Sequence, residues 1–342
     1  MNPPDRRASV PPGDGVDSCA PPVVGDFVYA QGEMDHALLI VRRSHEPILR
    51  VTRSQRALVV SIGKNVAWIR IDGEQEPRVA QLRRMRGKRS MPVPGDVAHV
   101  VVLEDGRTLV ERVEPRRSTL ERRTVAGRTK TMAANVDLLV IVTALANPSP
   151  RLPTLDQLLA FSELEEIGAA VVFTKPDLAD PEQARALLAL YAALGYAALC
   201  VNAKAGKNVD ALRALIQGHH AMLVGNSGVG KSTTFRALGG DASVGNVSRH
   251  GLGRQTTTAG RLYRFAAGFL IDSPGIAEFG LGNIQPSELA AAFREIRETA
   301  SGCRFSDCTH LREPGCAVRA SVEAGGIAVS RYASYRAILA DA

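Results

Sequence analysis

The residues from Gly225 to Ser232 have the types and spacing of a phosphate-binding loop. They read Gly-Asn-Ser-Gly-Val-Gly-Lys-Ser, after a short apolar run and before a helical pattern. Glycines in such a loop let backbone N–H groups turn inward around phosphate oxygens, at the positive end of a helix. Lys231 is then expected to reach the terminal phosphates, and the Ser232 hydroxyl to coordinate Mg²⁺. The alternative, a glycine-rich turn between a strand and a helix, is disfavoured by the full spacing and the Lys-Ser pair. The predicted phosphate-contacting residues are Gly225, Asn226, Ser227, Gly228, Val229, Gly230, Lys231, Ser232 and Thr233.

Two later stretches have the residue types that sense a γ-phosphate and its metal ion. In Ile-Asp-Ser-Pro-Gly, Asp272 could hold Mg²⁺ through a water, and the Gly275 N–H could contact the γ-phosphate. Between this stretch and the phosphate loop lies Gly-Arg-Gln-Thr-Thr-Thr-Ala-Gly, residues 253–260. GTPases need a threonine there to complete the Mg²⁺ shell, and we expect Thr257 or Thr258 to supply it. The alternative is a threonine-rich surface loop.

Two other stretches have the residue types that recognise a guanine base. Asp177 carries a carboxylate that can accept from the guanine N1 and N2 donors, and Lys175 has a stem that can pack on the ring. Thr174 and Pro176 complete this motif. At the end of the next predicted strand, Asn202, Ala203 and Lys204 match the second base-reading loop, with the Ala203 N–H facing guanine O6. Either motif alone is weak, but both together at consecutive strand ends predict guanine.

The order of these motifs is permuted. The base readers precede the phosphate loop, whereas in an ordinary GTP-binding domain they follow it. The motifs keep the cyclic order of an ordinary GTP-binding domain, but the chain begins and ends at a different point of that order. A parallel sheet tolerates such a circular permutation because chain ends often lie close together at the surface. Because of the permutation, the loop predicted to sense the γ-phosphate is followed directly by the C-terminal segment. An order–disorder change of that loop could therefore act on the C-terminal segment.

Four residues near the C-terminus have zinc-ligand spacing. Cys303, Cys308, His310 and Cys316 form the pattern Cys-x4-Cys-x-His-x5-Cys. Three thiolates and an imidazole are a closed tetrahedral set with no position left for water, so we expect a structural rather than a catalytic site. A disulfide pair or unrelated core cysteines are the alternatives.

Composition and charge set the broad class. The chain has 342 residues, 45% of them hydrophobic, which is long enough for two or three domains. No apolar run approaches the roughly 20 residues of a membrane helix, and the N-terminus does not resemble a secretion signal. We therefore expect a cytoplasmic protein, a monomer, without a membrane partner. The net charge is +7, and residues 83–130 alone hold thirteen Lys or Arg against six Asp or Glu.

This basic stretch indicates a phosphate-rich partner, the alternative being a solvated face. The candidate RNA contacts are Arg83, Arg84, Arg86, Lys88, Arg89, Arg116 and Arg117.

The chain divides into four predicted regions. We expect residues 1–50 to be a disordered or extended tail, and the short β-type runs of 51–118 to form a β-barrel of the oligonucleotide-binding type. Strands alternating with helices over 119–283 predict an α/β GTPase domain with a parallel sheet. Its first helix is predicted at 155–168, ending at Gly168. Residues 284–342 are predicted to form a mainly helical zinc-binding module.

These parts, in this order, resemble the ribosome-small-subunit-dependent GTPase A family. The resemblance covers about residues 50–330. It implies a factor that binds the small ribosomal subunit and its rRNA, acts late in subunit maturation, and hydrolyses GTP weakly until the subunit stimulates it. Three positions depart from the family: Thr174 replaces the usual Asn, Asn202 the usual Ser, and Gln255 a His proposed to position the attacking water. Many GTPases also have a water-orienting Gln where Ile276 stands.

Gln255 can orient water by hydrogen bonding, so it is the predicted catalytic residue. The main hypothesis is therefore a GTP-hydrolysing assembly factor that requires Mg²⁺. One alternative is an rRNA-binding module that GTP gates, with vestigial hydrolysis. The other is a P-loop ATPase or nucleotide kinase in which the guanine motifs are accidental.

Overall fold

The structure is a computed structural model that describes residues 27–30, 38–41, 51–74, 76–82, 91–123, 129–239, 261–265, 268–272, 281 and 284–341. Two compact units are present, Met1–Ser54 with Val101–Arg107, and Gln55–Val100 with Thr108–Ala342. Strands β1 (Phe27–Ala30) and β2 (Leu38–Val41) pair antiparallel within the region predicted as a tail. Among the described residues, none of the helices is long and apolar enough to span a membrane.

A closed five-stranded barrel follows. Its strands, joined in the order β3-β4-β5-β7-β6, are β3 (Val51–Ile62), β4 (Val66–Ile71), β5 (Arg78–Leu82), β6 (Val97–Leu103) and β7 (Thr108–Val113). Buried and half-buried residues alternate along β4, because successive side chains of a strand point to opposite faces. The strand β5 pairs in parallel with β7. Sequence reasoning did not single out β5, whose five residues include Arg78 and Gln81.

Strands β8 (Thr119–Arg123) and β9 (Thr129–Ala134) form a separate two-stranded sheet. This hairpin connects the barrel to the central domain. It occupies the beginning of the region that we predicted as the GTPase domain.

The central domain is a six-stranded sheet in the order β12-β11-β10-β13-β15-β14. All neighbouring strands are parallel except β14 and β15. The strands are β10 (Leu138–Ala144), β11 (Gly168–Thr174), β12 (Ala197–Val201), β13 (His220–Val224), β14 (Arg261–Phe265) and β15 (Gly268–Asp272). The helices are α1 (Leu152–Leu164), α2 (Pro181–Ala193), α3 (Val209–Ile216) and α4 (Lys231–Ala237). Every residue of β10 is buried, as expected for a parallel strand covered on both faces.

The predicted end of the first helix was wrong. Helix α1 begins at Leu152, ends at Leu164, and Gly168 is the first residue of β11. The left-handed position that ends the helix is taken by Glu166, with φ of 53°. The Ile167 N–H then donates to the Ser162 carbonyl at 2.9 Å, the bond that closes a Schellman motif. A glycine usually takes this position, which is why Gly168 was misread.

The C-terminal region is helical. It contains α5 (Pro286–Ala291), α6 (Arg294–Ala300), α7 (Ala317–Glu323) and α8 (Val329–Ala340). Their apolar core includes Phe293, Ile296 and Tyr335, together with Ala160 of α1. The C-terminal region therefore packs directly against the first helix of the central domain.

Candidate guanine nucleotide site and metal centre

The predicted phosphate loop joins β13 to α4, at the carboxyl edge of the sheet. Gly225 has φ of 136°, and a Cβ there would overlap the carbonyl oxygen of Val142 on β10. Gly228 and Gly230 have φ of 76° and 99°. Only glycine adopts the first of these conformations so close to another backbone. The three glycines thus have the backbone turns that a phosphate cradle requires.

Lys231, the first residue of α4, points back into this loop. Its Nζ donates to the carbonyl oxygens of Gly225 at 2.7 Å and Asn226 at 2.6 Å. The ammonium therefore lies inside the predicted phosphate loop. Ser232 is exposed and Thr233 half-buried at the same end of the helix.

Thr174 links the first base-reading motif to the phosphate loop. Its side chain is buried, and its hydroxyl lies 2.5 Å from the Val229 carbonyl oxygen and 3.3 Å from the Thr143 carbonyl oxygen. A hydroxyl has one hydrogen, so it donates to one of the two carbonyls at a time. An asparagine amide has two hydrogens for these acceptors. Thr174 therefore connects the two motifs with one donor hydrogen, where the usual Asn would have two.

Lys175 lies across the phosphate loop from the other side. Its backbone is left-handed, with φ of 56°. Its Nζ donates to the Gly228 carbonyl at 2.8 Å and also to the Asn147 carbonyl, in the connection between β10 and α1. Two consecutive residues of the base-reading motif thus bond to two consecutive residues of the phosphate loop. The predicted base-reading motif and the predicted phosphate loop therefore form one hydrogen-bonded unit.

Asn202 orients the carboxylate of Asp177. The Asn202 Nδ2 donates to Asp177 Oδ1 at 2.8 Å, and Asn202 Oδ1 accepts from the Ala205 N–H at 3.1 Å. The backbone donor fixes which end of the amide faces the carboxylate. Asp177 and Lys204 are exposed, and Ala203 is half-buried. The two predicted base-reading loops therefore meet, through a contact that the replacement of Ser by Asn allows.

Several predicted site residues lie outside the described residues. These are Gln255, Thr257, Thr258, Gly275, Arg83, Arg84, Arg86, Lys88 and Arg89. Asp272 is the last residue of β15, opposite Leu223 of β13, so the backbone places it at the edge that carries the phosphate loop.

Of the two remaining candidate RNA contacts, Arg116 is engaged within the protein. It donates to both carboxylate oxygens of Asp96, at 2.8 and 2.9 Å, and to the Met91 carbonyl. Arg117 is exposed. The sequence showed the charge of Arg116 but not its partner.

The four predicted metal ligands converge. The ligand atoms of Cys303, Cys308, His310 and Cys316 all lie within 4.8 Å of one another. His310 Nδ1 is 3.5 Å from the Cys303 Sγ and 3.6 Å from the Cys316 Sγ. Three sulfurs and one imidazole nitrogen so close together fit a tetrahedral metal ion of the zinc type. The group can therefore hold a metal ion.

Residues around this centre fix its loop. Tyr332 of α8 donates its hydroxyl to the His310 carbonyl at 2.6 Å, and Tyr335 donates to the Thr309 carbonyl at 2.9 Å. The Glu313 carboxylate accepts from the backbone N–H groups of Thr309, Leu311 and Arg312, at 2.9 to 3.0 Å. Hydrogen bonds, that of the Thr309 side chain foremost, lower the pKa of Glu313 to about 2. Sequence reasoning missed these contacts, because they join positions that no local pattern connects.

Comparisons with known proteins agree with this geometry. The sequence model of a family described as RsgA GTPase matches residues 113–282. A Pseudomonas aeruginosa (strain LESB58) protein named "Small ribosomal subunit biogenesis GTPase RsgA" is 41% identical over 288 residues, 82% of this chain and 85% of that protein. The protein of that name from Azotobacter vinelandii is 40% identical over 282 residues, 80% of this chain and 82% of that protein.

Two solved structures are also similar. YjeQ from Thermotoga maritima has a TM-score of 0.69 and 30% identity, covering 84% of this chain and 98% of that chain. YloQ, described as a circularly permuted GTPase, has a TM-score of 0.65 and 24% identity, covering 88% of this chain and 97% of that chain, and supports the fold alone. The predicted fold class, a barrel, a permuted α/β GTPase domain and a helical C-terminal region, is confirmed.

Proposed function

Because this chain belongs to the RsgA GTPase family, we propose that it hydrolyses GTP as a late-stage factor in the biogenesis of the small ribosomal subunit. The observation that carries this proposal is the bonded unit formed by the phosphate loop and the two base-reading loops. Thr174 and Lys175 bond to Val229 and Gly228, and Asn202 orients Asp177.

This unit suits guanine. The oriented Asp177 carboxylate accepts from the N1 and N2 donors of guanine, which adenine does not present. The Ala203 N–H donates to guanine O6, with Lys204 beside it, and the Lys175 stem packs on the ring. Thr174 positions the loop and does not touch the base, because its hydroxyl is buried against Val229. Pro176 continues the turn that presents Asp177.

Binding of the GTP phosphates and Mg²⁺ is assigned to the phosphate loop and to the residues that follow it. Backbone N–H groups of 225–230 and the Lys231 ammonium bind the β- and γ-phosphates. Ser232 and either Thr257 or Thr258 are direct ligands for Mg²⁺, Asp272 holds it through a water, and the Gly275 N–H contacts the γ-phosphate. Bound Mg²⁺ neutralises charge on the phosphate oxygens as the bond breaks. Gln255 orients the attacking water by hydrogen bonding.

The metal group is assigned to one structural zinc ion. Its ligands are the thiolates of Cys303, Cys308 and Cys316 and the imidazole of His310, which leave no open coordination position. Elemental analysis of the purified chain is expected to find one zinc per molecule. A Cys316→Ser variant is expected to bind less, whereas Cys200→Ser, at the end of β12, leaves the zinc content unchanged.

The remaining parts of the proposal concern partners. The chain acts as a cytoplasmic monomer, and rRNA of the small subunit is bound by the basic residues of the barrel region. Arg83, Arg84, Arg86, Lys88, Arg89 and Arg117 are assigned this role. Arg116 is assigned a structural one, because its guanidinium is bonded to Asp96.

The decisive test is GTP turnover by the purified chain, alone and with isolated small ribosomal subunits, with ATP as the control nucleotide. Many-fold stimulation by the subunits, specific to GTP, is expected. Subunit binding that depends on GTP without any stimulation indicates a gated RNA-binding module instead. Equal turnover of ATP removes the guanine assignment.

Two variants test the residue assignments. Asp177→Asn is expected to weaken GTP binding and favour xanthosine triphosphate, whose base presents an acceptor where guanine has an amine. Gln255→Ala is expected to lower stimulated turnover while GTP binding is retained. If Q255A turns over GTP at the wild-type rate, another residue positions the water.

A further inference from the structure

Asp177, which carries the base-reading carboxylate, is exposed on a short helical turn, Pro176–Leu178. The backbone of this turn is fixed, because the Leu178 N–H donates to the Lys175 carbonyl at 3.1 Å and Lys175 is bonded to the phosphate loop. In the part of the chain that the structure describes, the hydrogen-bond partner of the carboxylate is the Asn202 amide, at 2.8 Å. Without that contact, an exposed aspartate side chain can take several rotamers.

Asn202 is the fixed member of this pair. It directly follows β12, and its backbone N–H and carbonyl both bond to the backbone of Lys207, at 3.1 Å each. Its side-chain Oδ1 accepts from the Ala205 N–H at 3.1 Å. Asn208 closes the same loop, because its Nδ2 donates to the Cys200 carbonyl at 2.8 Å. The loop therefore holds the Asn202 amide in place by contacts that involve no nucleotide.

The asparagine makes its two side-chain contacts with two different atoms. Its Oδ1 is bonded to the Ala205 N–H, while its Nδ2 donates to Asp177. The serine that is usual in the family has one oxygen for both contacts, on a side chain that is shorter by one bond. Asn202 can therefore stabilise its own loop and hold the carboxylate at the same time.

A held carboxylate matters more for guanine than for hypoxanthine. It accepts from both N1 and N2 of guanine only when its two oxygens lie near the plane of the base, and rotation out of that plane loses one of the two bonds. Hypoxanthine has the N1 donor but no N2 amine, so one oxygen satisfies it. The donor of Asn202 takes one acceptor position of Asp177 Oδ1 and leaves another for the base.

We propose that Asn202 is a specificity-determining residue, which makes the site select guanine over hypoxanthine nucleotides by fixing the orientation of the Asp177 carboxylate. It is a positioning residue, because it acts through Asp177 rather than on the base. This inference rests on the proposed function, in which Asp177 recognises guanine, and adds the residue that decides how strongly the N2 amine contributes. The alternative is that Asn202 only stabilises its loop, as Asn208 does.

The test measures the affinity of the full chain for GDP and for inosine diphosphate, IDP, whose base is hypoxanthine. Titration calorimetry with diphosphates avoids hydrolysis during the measurement. Asn202→Ala is expected to lower the affinity for GDP on the order of fivefold, because GDP must then order the Asp177 side chain, and the affinity for IDP by about twofold or less. The ratio of the GDP affinity to the IDP affinity therefore falls.

The matched control is Asn208→Ala. It removes the same side chain from the same loop, but Asn208 is bonded to the Cys200 carbonyl and not to Asp177. The control is expected to keep the GDP/IDP ratio of the wild type. An equal fall of the ratio in N202A and N208A would assign the effect to the loop as a whole and overturn the proposal.

Two further variants isolate the contact itself. Asn202→Asp keeps the shape of the side chain and an acceptor for the Ala205 N–H, but replaces the donor to Asp177 with a like charge. It is expected to lower the GDP/IDP ratio at least as far as N202A. In the background of Asp177→Ala, N202A is expected to leave the ratio unchanged, because no carboxylate remains to be held. A wild-type ratio in N202D, or an undiminished effect of N202A in the D177A background, overturns the proposal.

Failure of the proposed function gives a different result. If the wild-type chain binds GDP no better than ADP, the guanine assignment itself fails. If the wild type prefers GDP to ADP but not to IDP, or if N202A keeps the full GDP/IDP ratio, the guanine assignment stands and the role of Asn202 is overturned on its own.

Discussion

Two buried charge clusters of the molecule differ in kind. Within the barrel region, Asp96 is fully buried and accepts two hydrogen bonds from Arg116, whose side chain is 19% exposed. Between the central domain and the C-terminal helices, Arg331 of α8 is 1% exposed and bonds both Asp156 of α1 and Glu295 of α6. The barrel cluster leaves its cation in contact with water, and the C-terminal cluster removes cation and anions from water together.

The difference affects how each cluster tolerates the loss of one partner. A buried ion pair must offset a large desolvation cost, so it is stable only while every partner is present. Arg331 has two carboxylate partners and lies 4.4 Å from the centre of the Phe293 ring. Burial alone lowers the pKa of Arg331, but the carboxylates of Asp156 and Glu295 raise it above its ordinary value. We therefore expect the C-terminal cluster to lose most of its stabilising effect when any partner is removed, and the barrel cluster to tolerate such a loss better.

The largest expected effect is that of Arg331→Ala. It leaves Asp156 and Glu295 without their cation, at a cost of about 3–5 kcal/mol in the free energy of unfolding. Urea unfolding followed by circular dichroism measures it. The control is Arg336→Ala, an exposed arginine on the same helix, expected to cost about 0.5 kcal/mol or less. Similar losses in the two variants would mean that the ion pairs of Arg331 with Asp156 and Glu295 contribute no specific stability.

Arg116→Ala is expected to have a smaller effect. Asp96 keeps the Val93 N–H as a donor at 2.7 Å, and water can approach the position of a partly exposed guanidinium. We expect a loss of about 1.5–3 kcal/mol, the range for hydrogen bonds to a charged group. The same unfolding measurement checks it, with the exposed neighbour Arg117→Ala as control. A loss as large as that of R331A would remove the distinction between the two clusters.

Neither charge cluster could be predicted from the sequence. The phosphate loop and the cysteine cluster are contiguous patterns in which spacing alone indicates chemistry. Asp96 and Arg116 lie 20 positions apart, and Asp156 and Arg331 lie 175 apart. Only the fold brings them together. Arg116 was assigned to RNA for this reason, since a sequence shows a charge but not what neutralises it.

Local structure was predictable where one residue type decides it. Gly225 has a conformation that only glycine adopts so close to Val142, and the sequence supplied that glycine. Glu166 takes a left-handed position that glycine usually occupies, and the predicted helix end was wrong there. The contact of Asn202 with Asp177 could not be predicted from a single residue type, because it depends on two loops meeting in space.

Tyr191→Phe tests how far Asp156 depends on Arg331 alone. The Tyr191 hydroxyl donates to Asp156 Oδ1 at 2.8 Å inside the core. Because the guanidinium remains in place, we expect a loss of only about 1–2 kcal/mol in unfolding free energy. Tyr196→Phe removes a longer bond, 3.2 Å to Glu163 in a partly buried network, and is the matched control with a smaller expected loss. Equal losses would show that burial does not strengthen the Tyr191 bond.

The smallest effect on the free energy of unfolding is expected at a solvent-screened charge cluster on the barrel, centred on Glu114. Glu114 accepts from Arg56 at 2.9 and 3.2 Å and lies 3.0 Å from His99 Nε2. The hydrogen bond and charge of Arg56 lower the pKa of Glu114, although partial burial opposes this, and His99 lowers it further. A carboxyl with a depressed pKa stabilises the folded state above its ordinary pKa of 4.5. That stability is lost as the pH falls through the lower, folded value.

The variant Glu114→Gln isolates this contribution. The difference in unfolding free energy between wild type and E114Q is expected to be small at pH 6 and to shrink as the pH falls below 4.5. Urea unfolding over this pH range measures it, and added salt is expected to reduce the difference at pH 6, because the cluster is exposed. A difference that stays constant with pH would assign the effect to packing, and one that grows would reverse the sign of the linkage. Neither result is compatible with a carboxylate that Arg56 stabilises in the folded barrel.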